Sequence, residues 1–275
     1  MHLTVKYRIE TNSTLADFLA TKSGLSKMKL KECMSKGGVW LRRQGMKEDR
    51  CRKATTKLAP GDQVALYFDQ EILNVKPLVP KLIADFTTYS VWDKPAGVLS
   101  QGTRFGDHCS LLRLTQQAFS TCRQTFPVHR LDREASGLIL VAHTPKAAAA
   151  LGHLWQTRQV KKEYEITVKG LFDQTDTGTI TLPLDGKEAN TSYRVIDCNH
   201  SHHTSRLMVT LETGRLHQIR RHFAMIGYPV IGDPTYGVGN KNTEGLVLRA
   251  VRLVFNCPFG GGCRDFHIPA PSAPE

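Results

Sequence analysis

The sequence predicts an α+β protein that has two domains of different character. With 275 residues, the chain is longer than one average domain. From Tyr89 to Phe255 the pattern is rich in short strands and contains only two strong helical stretches. A small helix-rich module precedes this region. We therefore expect a first domain over residues 1–72, a linker over residues 73–80 and a larger domain over residues 81–275.

The first module is predicted to contain two capped helices followed by strands. Thr14 is suited to cap the first helix, and Ser26 precedes the second. The pair Gly37-Gly38 is expected to end the second helix, and a strand follows it. The segment from Leu58 to Phe68 is typical of a turn and a closing strand.

Basic residues are concentrated in this module. The chain has a net charge of +12, and residues 22–57 alone hold 12 Lys or Arg residues against 3 acidic ones. Such a run suits a polyanionic partner, although it can also be only a solvated face. The order of elements resembles an S4-type RNA-binding domain. This resemblance implies that RNA contacts basic side chains of the second helix and the following strand: Lys27, Lys29, Lys31, Arg42 and Arg43.

The first candidate catalytic group is Asp132, which lies in the segment FPVHRLDREASGLIL from Phe126 to Leu140. Two neighbouring cations, Arg130 and Arg133, favour the ionised form of this carboxylate, so it is available as a nucleophile without a separate base. The apolar run that follows is typical of a buried strand, which would hold Asp132 on a rigid element. An Asp between arginines is also typical of a surface ion pair, so this segment alone does not decide its role.

A second segment, from Glu212 to Gly237, is predicted to begin as a helix. Thr213 is suited to cap it, and Arg215 is then expected near the helix start, where backbone N–H groups attract anions. Gly227 is a natural stop. The predicted apolar face consists of Leu216, Ile219, Phe223 and Ile226.

Histidines in this segment do not predict a metal site. His217 and His222 are five residues apart, which puts them about 140° apart around a helix, whereas metal-binding pairs prefer one face. The cluster of His200, His202 and His203 with Cys198 lies in a polar, loop-like stretch.

A third segment, KKEYEITVKG from Lys161 to Gly170, is predicted to be a strand. Tyr164, Ile166 and Val168 alternate on one side of it. On this pattern alone, Tyr164 is a core aromatic residue.

These three segments, in this order, resemble the motifs of the RluA-type pseudouridine synthases. HRLDREASG is similar to their HRLD-x-x-[ST]-SG signature, KKEYEITVKG to their second motif and GRLHQIRRHFAMIGYPVIGDPTYG to their third. WDKPAGVLSQG and LVLRAVRLVF resemble the flanking strands, so the resemblance spans Tyr89 to Pro269. The chain departs from the family at Ala135, where Thr or Ser is usual, and at Cys257 to Gly261, which replaces an HP-x-[ST]-G turn.

The resemblance implies an enzyme that isomerises uridine to pseudouridine in RNA without a metal or another cofactor. It implies that Asp132 is the nucleophile and that Tyr164 stacks on the target uracil and helps to remove its C5 proton. It also implies that Arg215 pairs with Asp132 and that Arg130 fills the space of a flipped base. Attack by Asp132 at the sugar and at the base both stay open. The other substrate-binding candidates lie in the first and third motifs: His129, Arg133, His217, Gln218 and Arg220.

The family also implies a mixed, largely antiparallel sheet flanked by helices, with the active-site cleft across the sheet. Relatives that carry an S4 domain usually act on large-subunit ribosomal RNA, so we expect this target, with transfer RNA as the alternative. Two other functions stay open. A purely RNA-binding protein is disfavoured because Asp132, Tyr164 and Arg215 are all present, and a hydrolase is disfavoured because no second carboxylate is placed to activate water.

Composition places the protein in the cytoplasm. The 7 cysteines are odd in number and irregular in spacing, which favours reduced thiols, and pairing of Cys257 with Cys263 stays open. The sequence has no run typical of a membrane span and no signal-peptide pattern. We expect a monomer whose partner is structured RNA and which makes no membrane contact.

Overall fold

The chain forms two compact units in the computed structural model, which describes residues 1–121, 123–173, 175–237 and 245–269. One unit comprises Met1–Leu78 with Gln101–Ala118, and the other comprises Val79–Ser100 with Phe119–Glu275. The predicted boundaries therefore need correction, because residues 101–118 were assigned to the second domain and pack in the first unit.

The first unit is built on a four-stranded antiparallel sheet in the order β1-β6-β3-β4, with a separate β2–β5 pair. Its strands are β1 (His2–Arg8), β2 (Ser13–Thr14), β3 (Val39–Arg42), β4 (Asp49–Arg50), β5 (Lys57–Leu58) and β6 (Gln63–Asp69). Its helices are α1 (Leu15–Ser23), α2 (Lys27–Ser35), α3 (Gln70–Asn74) and α4 (Leu111–Ala118). The start of the predicted linker is thus helical, and Leu73 is fully buried in the core of this unit.

Both predicted helix caps are confirmed. The hydroxyl of Thr14 accepts a hydrogen bond from the backbone N–H of Asp17, and that of Ser26 accepts one from Lys29. These bonds satisfy N–H groups that a helix start leaves free. Helix α2 buries one face in the core, through Leu30, Cys33 and Met34, and exposes the other. The exposed face carries Lys27, Lys29 and Lys31.

Residues 101–118 are held in the first unit by side chains that lie far away in the sequence. The indole Nε1 of Trp40 donates to the carbonyl oxygen of Arg104 at 2.9 Å. The Asp107 carboxylate is an ion-pair partner of Arg50 and Arg52. Such long-range contacts have no local sequence pattern, which is why the boundary was not predicted.

The second unit is built on a ten-stranded mixed sheet. Its longest path runs β12-β13-β14-β11-β15-β10-β8-β7, with β16 beside β15 and β9 beside β10. The strands are β7 (Lys81–Asp85), β8 (Tyr89–Lys94), β9 (Phe126–Pro127), β10 (Ser136–Ala142), β11 (Lys161–Lys169), β12 (Thr177–Ile180), β13 (Thr191–Asn199), β14 (Thr204–Leu211), β15 (Leu248–Asn256) and β16 (Cys263–His267). The helices are α5 (Pro145–Gln156) and α6 (Gln218–Met225).

The pairing confirms the predicted largely antiparallel sheet, since β10 with β15 is its parallel pair. These two strands approach closely at Gly137, whose φ is +109° and where a Cβ atom would lie 2.2 Å from the carbonyl oxygen of Ala250. Only glycine fits there. The alternation predicted for β11 is also confirmed, because Tyr164, Ile166 and Val168 are buried on one face.

Among the described residues, no helix is long and apolar enough to cross a membrane. The six cysteines that the structure describes, which include Cys257 and Cys263, are free.

Candidate active site

One cavity of about 370 Å³ in the second unit brings together most of the predicted site residues. The loop before β10, strand β11 and the turn before α6 form its walls. Its lining includes His129, Arg130, Asp132, Tyr164, Arg215, His217, Gln218 and Arg220. Arg133 is placed differently, because its Nε donates to Glu134 and its side chain is 62% exposed.

The backbone around Asp132 is held from both sides by the segment that follows β8. The Ser100 hydroxyl donates to the carbonyl oxygen of Leu131 at 2.6 Å and accepts from its N–H at 3.0 Å. The N–H of Gly97 donates to the carbonyl oxygen of Arg133 at 2.7 Å. The carboxylate therefore lies on a loop whose position is fixed on either side of it.

Lys94 joins these two segments further. Its buried ammonium group has three N–H donors and lies within hydrogen-bond distance of four carbonyl oxygens, those of Pro95, Val98, Arg133 and Ala135. Burial lowers the pKa of Lys94 to about 8, against the raising effect of nearby carboxylates that include Asp132. Ala135 contributes its carbonyl oxygen to this contact, so the missing Thr or Ser hydroxyl leaves it intact.

Arg220 lies between two carboxylates. Its Nη1 is 3.2 Å from Oδ2 of Asp132, while its Nε and Nη2 lie 2.7 and 2.8 Å from the two oxygens of Asp233. Arg220 is only 2% exposed and Asp233 is fully buried. Burial acts to lower the pKa of Arg220, but Asp233 and Asp132 raise it above its ordinary value. The guanidinium between them therefore stays protonated.

Asp233 comes from the GDPTYG segment of the third motif. Its Oδ1 also accepts the backbone N–H groups of Thr235 and Tyr236 at 2.8 and 3.0 Å. Burial acts to raise the pKa of Asp233, but Arg220 and these two N–H groups lower it below its ordinary value. A charged carboxylate is therefore available to hold Arg220.

The predicted pairing of Arg215 with Asp132 is wrong. Nε of Arg215 donates to the carbonyl oxygen of Glu188 at 2.9 Å, and Arg220 makes the contact with Asp132 instead. The sequence offered one indication in favour of Arg220. Its motif also contains Asp233, a second carboxylate that can hold a buried arginine.

Arg215 was paired with Asp132 wrongly because the start of helix α6 was also predicted wrongly. Helix α6 begins at Gln218, and the Gln218 side chain folds back to accept hydrogen bonds from the Thr213 hydroxyl and from the N–H of Arg215. Residues 213–217 therefore form a turn rather than the first helical turn. In agreement, Leu216 of the predicted apolar face is 53% exposed.

His217 precedes α6 in a left-handed conformation, with φ of +52°. This conformation is rare outside glycine and costs about 1–3 kcal/mol, and it often marks a functional site. It places Nε2 of His217 3.7 Å from Oδ1 of Asp132 and Nδ1 3.1 Å from the Tyr236 hydroxyl. His222 faces other surroundings, since its ring nitrogens are hydrogen-bonded to Thr191 and Leu182.

Tyr164 is buried to 8% exposure in the cavity wall. Burial, together with the nearby Asp132, raises the pKa of its phenol, so the hydroxyl is protonated at neutral pH. Tyr164 therefore presents an aromatic face and an O–H donor.

His129 is an uncharged part of the same wall. Its Nε2 accepts the N–H of Leu140 at 3.1 Å, and its ring stacks on Trp155 at 4.2 Å. Burial, with a smaller effect of Lys162, lowers the pKa of His129 to about 3. His129 therefore presents a neutral ring to the cavity at neutral pH. Among the described residues, no group of three or more His, Cys, Asp or Glu side chains is arranged to hold a metal ion.

Comparison with known proteins identifies the class of this site. The profile of the RNA pseudouridylate synthase family matches residues 88–225. An uncharacterized RNA pseudouridine synthase of Aquifex aeolicus is 32% identical over 255 residues, which are 81% of this chain and 80% of the relative. Ribosomal large subunit pseudouridine synthase D of Vibrio cholerae is 37% identical over 172 residues. This match covers 52% of this chain and 52% of the relative.

The fold is also that of solved relatives. Human RNA pseudouridylate synthase domain containing 1 superposes with a TM-score of 0.60 at 22% identity, over 72% of this chain and 87% of that one. The chain belongs to the RNA pseudouridylate synthase family. Within that family it is of the RluA type, as its three motifs predicted, and it is a pseudouridine synthase that acts on RNA.

Proposed function

We propose that this synthase isomerises a specific uridine of large-subunit ribosomal RNA, as a monomer in the cytoplasm, and that Asp132 is its nucleophile. The observation that carries the nucleophile assignment is the position of Asp132. Its carboxylate lines the cavity, is held by the fixed guanidinium of Arg220 and lies on a loop clamped on both sides. Rigid placement of this kind is what covalent catalysis requires.

Either of two attacks suits this carboxylate. Attack at C1′ breaks the C1′–N1 bond, and its electron pair leaves on the uracil ring. After the uracil rotates, C5 forms a bond to C1′ and displaces the carboxylate, C5 loses its proton and N1 gains one. Attack at C6 of the ring instead breaks the C5=C6 π bond and pushes its electron pair toward O4. C1′–N1 then breaks, the uracil rotates and C5 forms its bond to C1′. Loss of the C5 proton expels the carboxylate from C6, and N1 gains a proton. Both routes need an ionised Asp132 and a pocket that retains the detached uracil.

Tyr164 has a narrower role in this proposal than the motif alone suggested. Its raised pKa leaves little phenolate at neutral pH, so it is poorly suited to take the C5 proton as a resting base. We assign it to stacking on the uracil and to donating its hydroxyl proton in a hydrogen bond. The C5 proton then leaves to water or to the carboxylate that C5 has just displaced.

The large-subunit target rests on two observations. Synthase D relatives that are 37% identical over half of this chain are named for the large ribosomal subunit. The first unit also exposes basic side chains on α2 and at the end of β3, as an S4-like RNA-binding surface would. These are Lys27, Lys29, Lys31, Arg42 and Arg43.

Tritium release tests this proposal, because isomerisation must displace the hydrogen at C5. Wild type and Asp132→Asn are incubated with large-subunit ribosomal RNA and transfer RNA transcripts that carry [5-³H]uridine. We expect release from ribosomal RNA by wild type and a rate near background for Asp132→Asn. Asp185→Asn, an exposed aspartate in the same unit, is the control. Release from transfer RNA alone would refute the target, and release by Asp132→Asn at the wild-type rate would refute the nucleophile.

A further inference from the structure

Lys162 is a lysine in the wall of the active-site cavity, and most of its side chain is buried. It is 7% exposed and lines the cavity together with Tyr164, which lies two residues further along β11 on the same face. Consecutive side chains of a strand point to opposite faces of the sheet. The neighbouring Lys161 therefore lies on the other face, where it pairs with Glu163 at 2.6 Å and is 52% exposed.

The ammonium group of Lys162 has neither a hydrogen-bond partner nor an ion-pair partner among the residues that the structure describes. Asp132, the carboxylate of the cavity, contacts Arg220 and His217 instead. Two titratable side chains interact electrostatically with Lys162, and neither carries a negative charge. His129 is uncharged at neutral pH, and Arg158 is itself a cation. Burial and the charge of Arg158 lower the pKa of Lys162.

A partly desolvated cation without a protein partner is destabilising, and proteins commonly retain such a group where a ligand supplies the missing negative charge. The reaction supplies that charge for a short time. When C1′–N1 breaks, its electron pair is delocalised over N1, O2 and O4 of the uracil, and attack on the ring places the pair on O4. In both routes negative charge develops on uracil oxygens inside the cavity, where a cation held in the wall acts more strongly than it would in bulk water.

We propose that Lys162 stabilises the negative charge that develops on the uracil oxygens while the base is detached or attacked. Lys162 remains protonated throughout and transfers no proton, so the overall isomerisation stays balanced as written above. This inference rests on the proposed role of Asp132, because the negative charge arises from attack by that carboxylate. It adds a catalytic residue on the uracil side of the reaction.

The test compares Lys162→Met with Lys161→Met under single-turnover conditions, on whichever RNA releases tritium with wild type. We expect the rate with Lys162→Met to fall by about 10²–10³-fold, as for removal of an oxyanion donor, whereas Lys161→Met keeps the wild-type rate. RNA affinity should change by less than about twofold for both variants, because the charge is absent from the bound ground state. Lys162→Arg should recover part of the rate, since it keeps the charge.

Two results would overturn the inference. A wild-type rate with Lys162→Met would show that the charge is not used in the reaction. Weaker RNA binding by Lys162→Met, with a salt dependence of log K flattened by about 0.7, would assign Lys162 to a phosphate contact. Melting temperature and RNA affinity report on folding of each variant. Asp132→Asn is assayed in parallel. A wild-type rate with Asp132→Asn would refute the role of Asp132 as nucleophile, whereas a wild-type rate with Lys162→Met alone would refute only the role of Lys162.

Discussion

Nη1 of Arg220 lies 3.2 Å from Oδ2 of Asp132, and the opposite edge of the same guanidinium is bound by both oxygens of Asp233. A planar guanidinium can serve two carboxylates at once because its five N–H donors have fixed directions. The buried Asp233 thereby sets the position of the group that holds the nucleophile. We interpret Arg220 as a positioning residue, since it acts on the reaction through Asp132.

Arg220→Lys should reduce the isomerisation rate by about 10²-fold while RNA affinity stays near the wild-type value. Lysine keeps the positive charge but lacks the fork needed to contact both Asp132 and Asp233. Single-turnover tritium release, with RNA binding measured separately, gives the two quantities.

Arg215→Lys is the matched control, because Arg215 lines the same cavity but binds the carbonyl oxygen of Glu188. We expect its rate to remain within a few-fold of wild type. The opposite order, in which Arg215→Lys is the slower variant, would restore the pairing that the motif first suggested.

Ser100→Ala should slow the reaction by up to about 10-fold. The variant loses both hydrogen bonds that hold Leu131, and one such bond contributes about 1 kcal/mol, which is a factor of about 5 in rate when its loss is felt in the transition state. The rate at saturating RNA measures this effect. Ser136→Ala removes a serine four residues after Asp132 whose hydroxyl makes, within the described part of the chain, one long contact of 3.5 Å with Arg249. Equal rates for the two variants would show that the hydrogen bonds between Ser100 and Leu131 do not contribute to the position of Asp132 in the reaction.

The features that sequence could predict are those with a local cause. The caps of α1 and α2 depend on Thr14 and Ser26, each of which bonds to an N–H three residues away. The burial of Tyr164 follows from the period of two along β11. The catalytic motifs are contiguous segments, so they too are visible in the amino-acid sequence alone.

The features that sequence could not predict depend on contacts between distant residues. Arg220 was not separated from Arg215 because the turn before α6 is formed by the side chain of Gln218, which local periodicity does not show. Likewise, residues 101–118 pack in the first unit through contacts to Trp40 and Arg52.

Lys162 was not predicted for a different reason. It has no partner in the part of the chain that the structure describes, in line with a role toward substrate.

The double variant Lys29→Gln, Lys31→Gln should weaken RNA binding and flatten the slope of log K against log salt by about 1.4, if each lysine contacts one phosphate of single-stranded RNA. Both side chains are exposed on α2. Lys27 is left unchanged because Asp17 already pairs with it at 2.6 Å. Titrations at several salt concentrations measure the slope. Lys146→Gln, an exposed lysine of the second unit, is the control, and an equal change there would show a general charge effect only.

His129→Gln should make the protein less sensitive to acid. The pKa of His129 in the folded protein is about 3, below its ordinary value of 6.5, because the ring is desolvated. Between these two values the unfolded chain binds more protons than the folded protein, so stability rises with pH across this window and is lost as pH falls below 6.5. The loss attributable to His129 reaches at most about 1.4 kcal/mol per pH unit.

Glutamine does not titrate, and its side-chain oxygen can still accept the N–H of Leu140 that Nε2 of His129 now accepts. Urea unfolding at about pH 7, 5.5 and 4.5, which spans the upper part of this window, gives the free energy of unfolding of both proteins. We expect the wild-type value to fall faster than that of His129→Gln. His143 and His222, whose pKa values are also lowered by burial, are present in both proteins and cancel in the difference. Parallel curves would show that the pKa of His129 is the same in the folded protein as in the unfolded chain, and would contradict its lowering by burial.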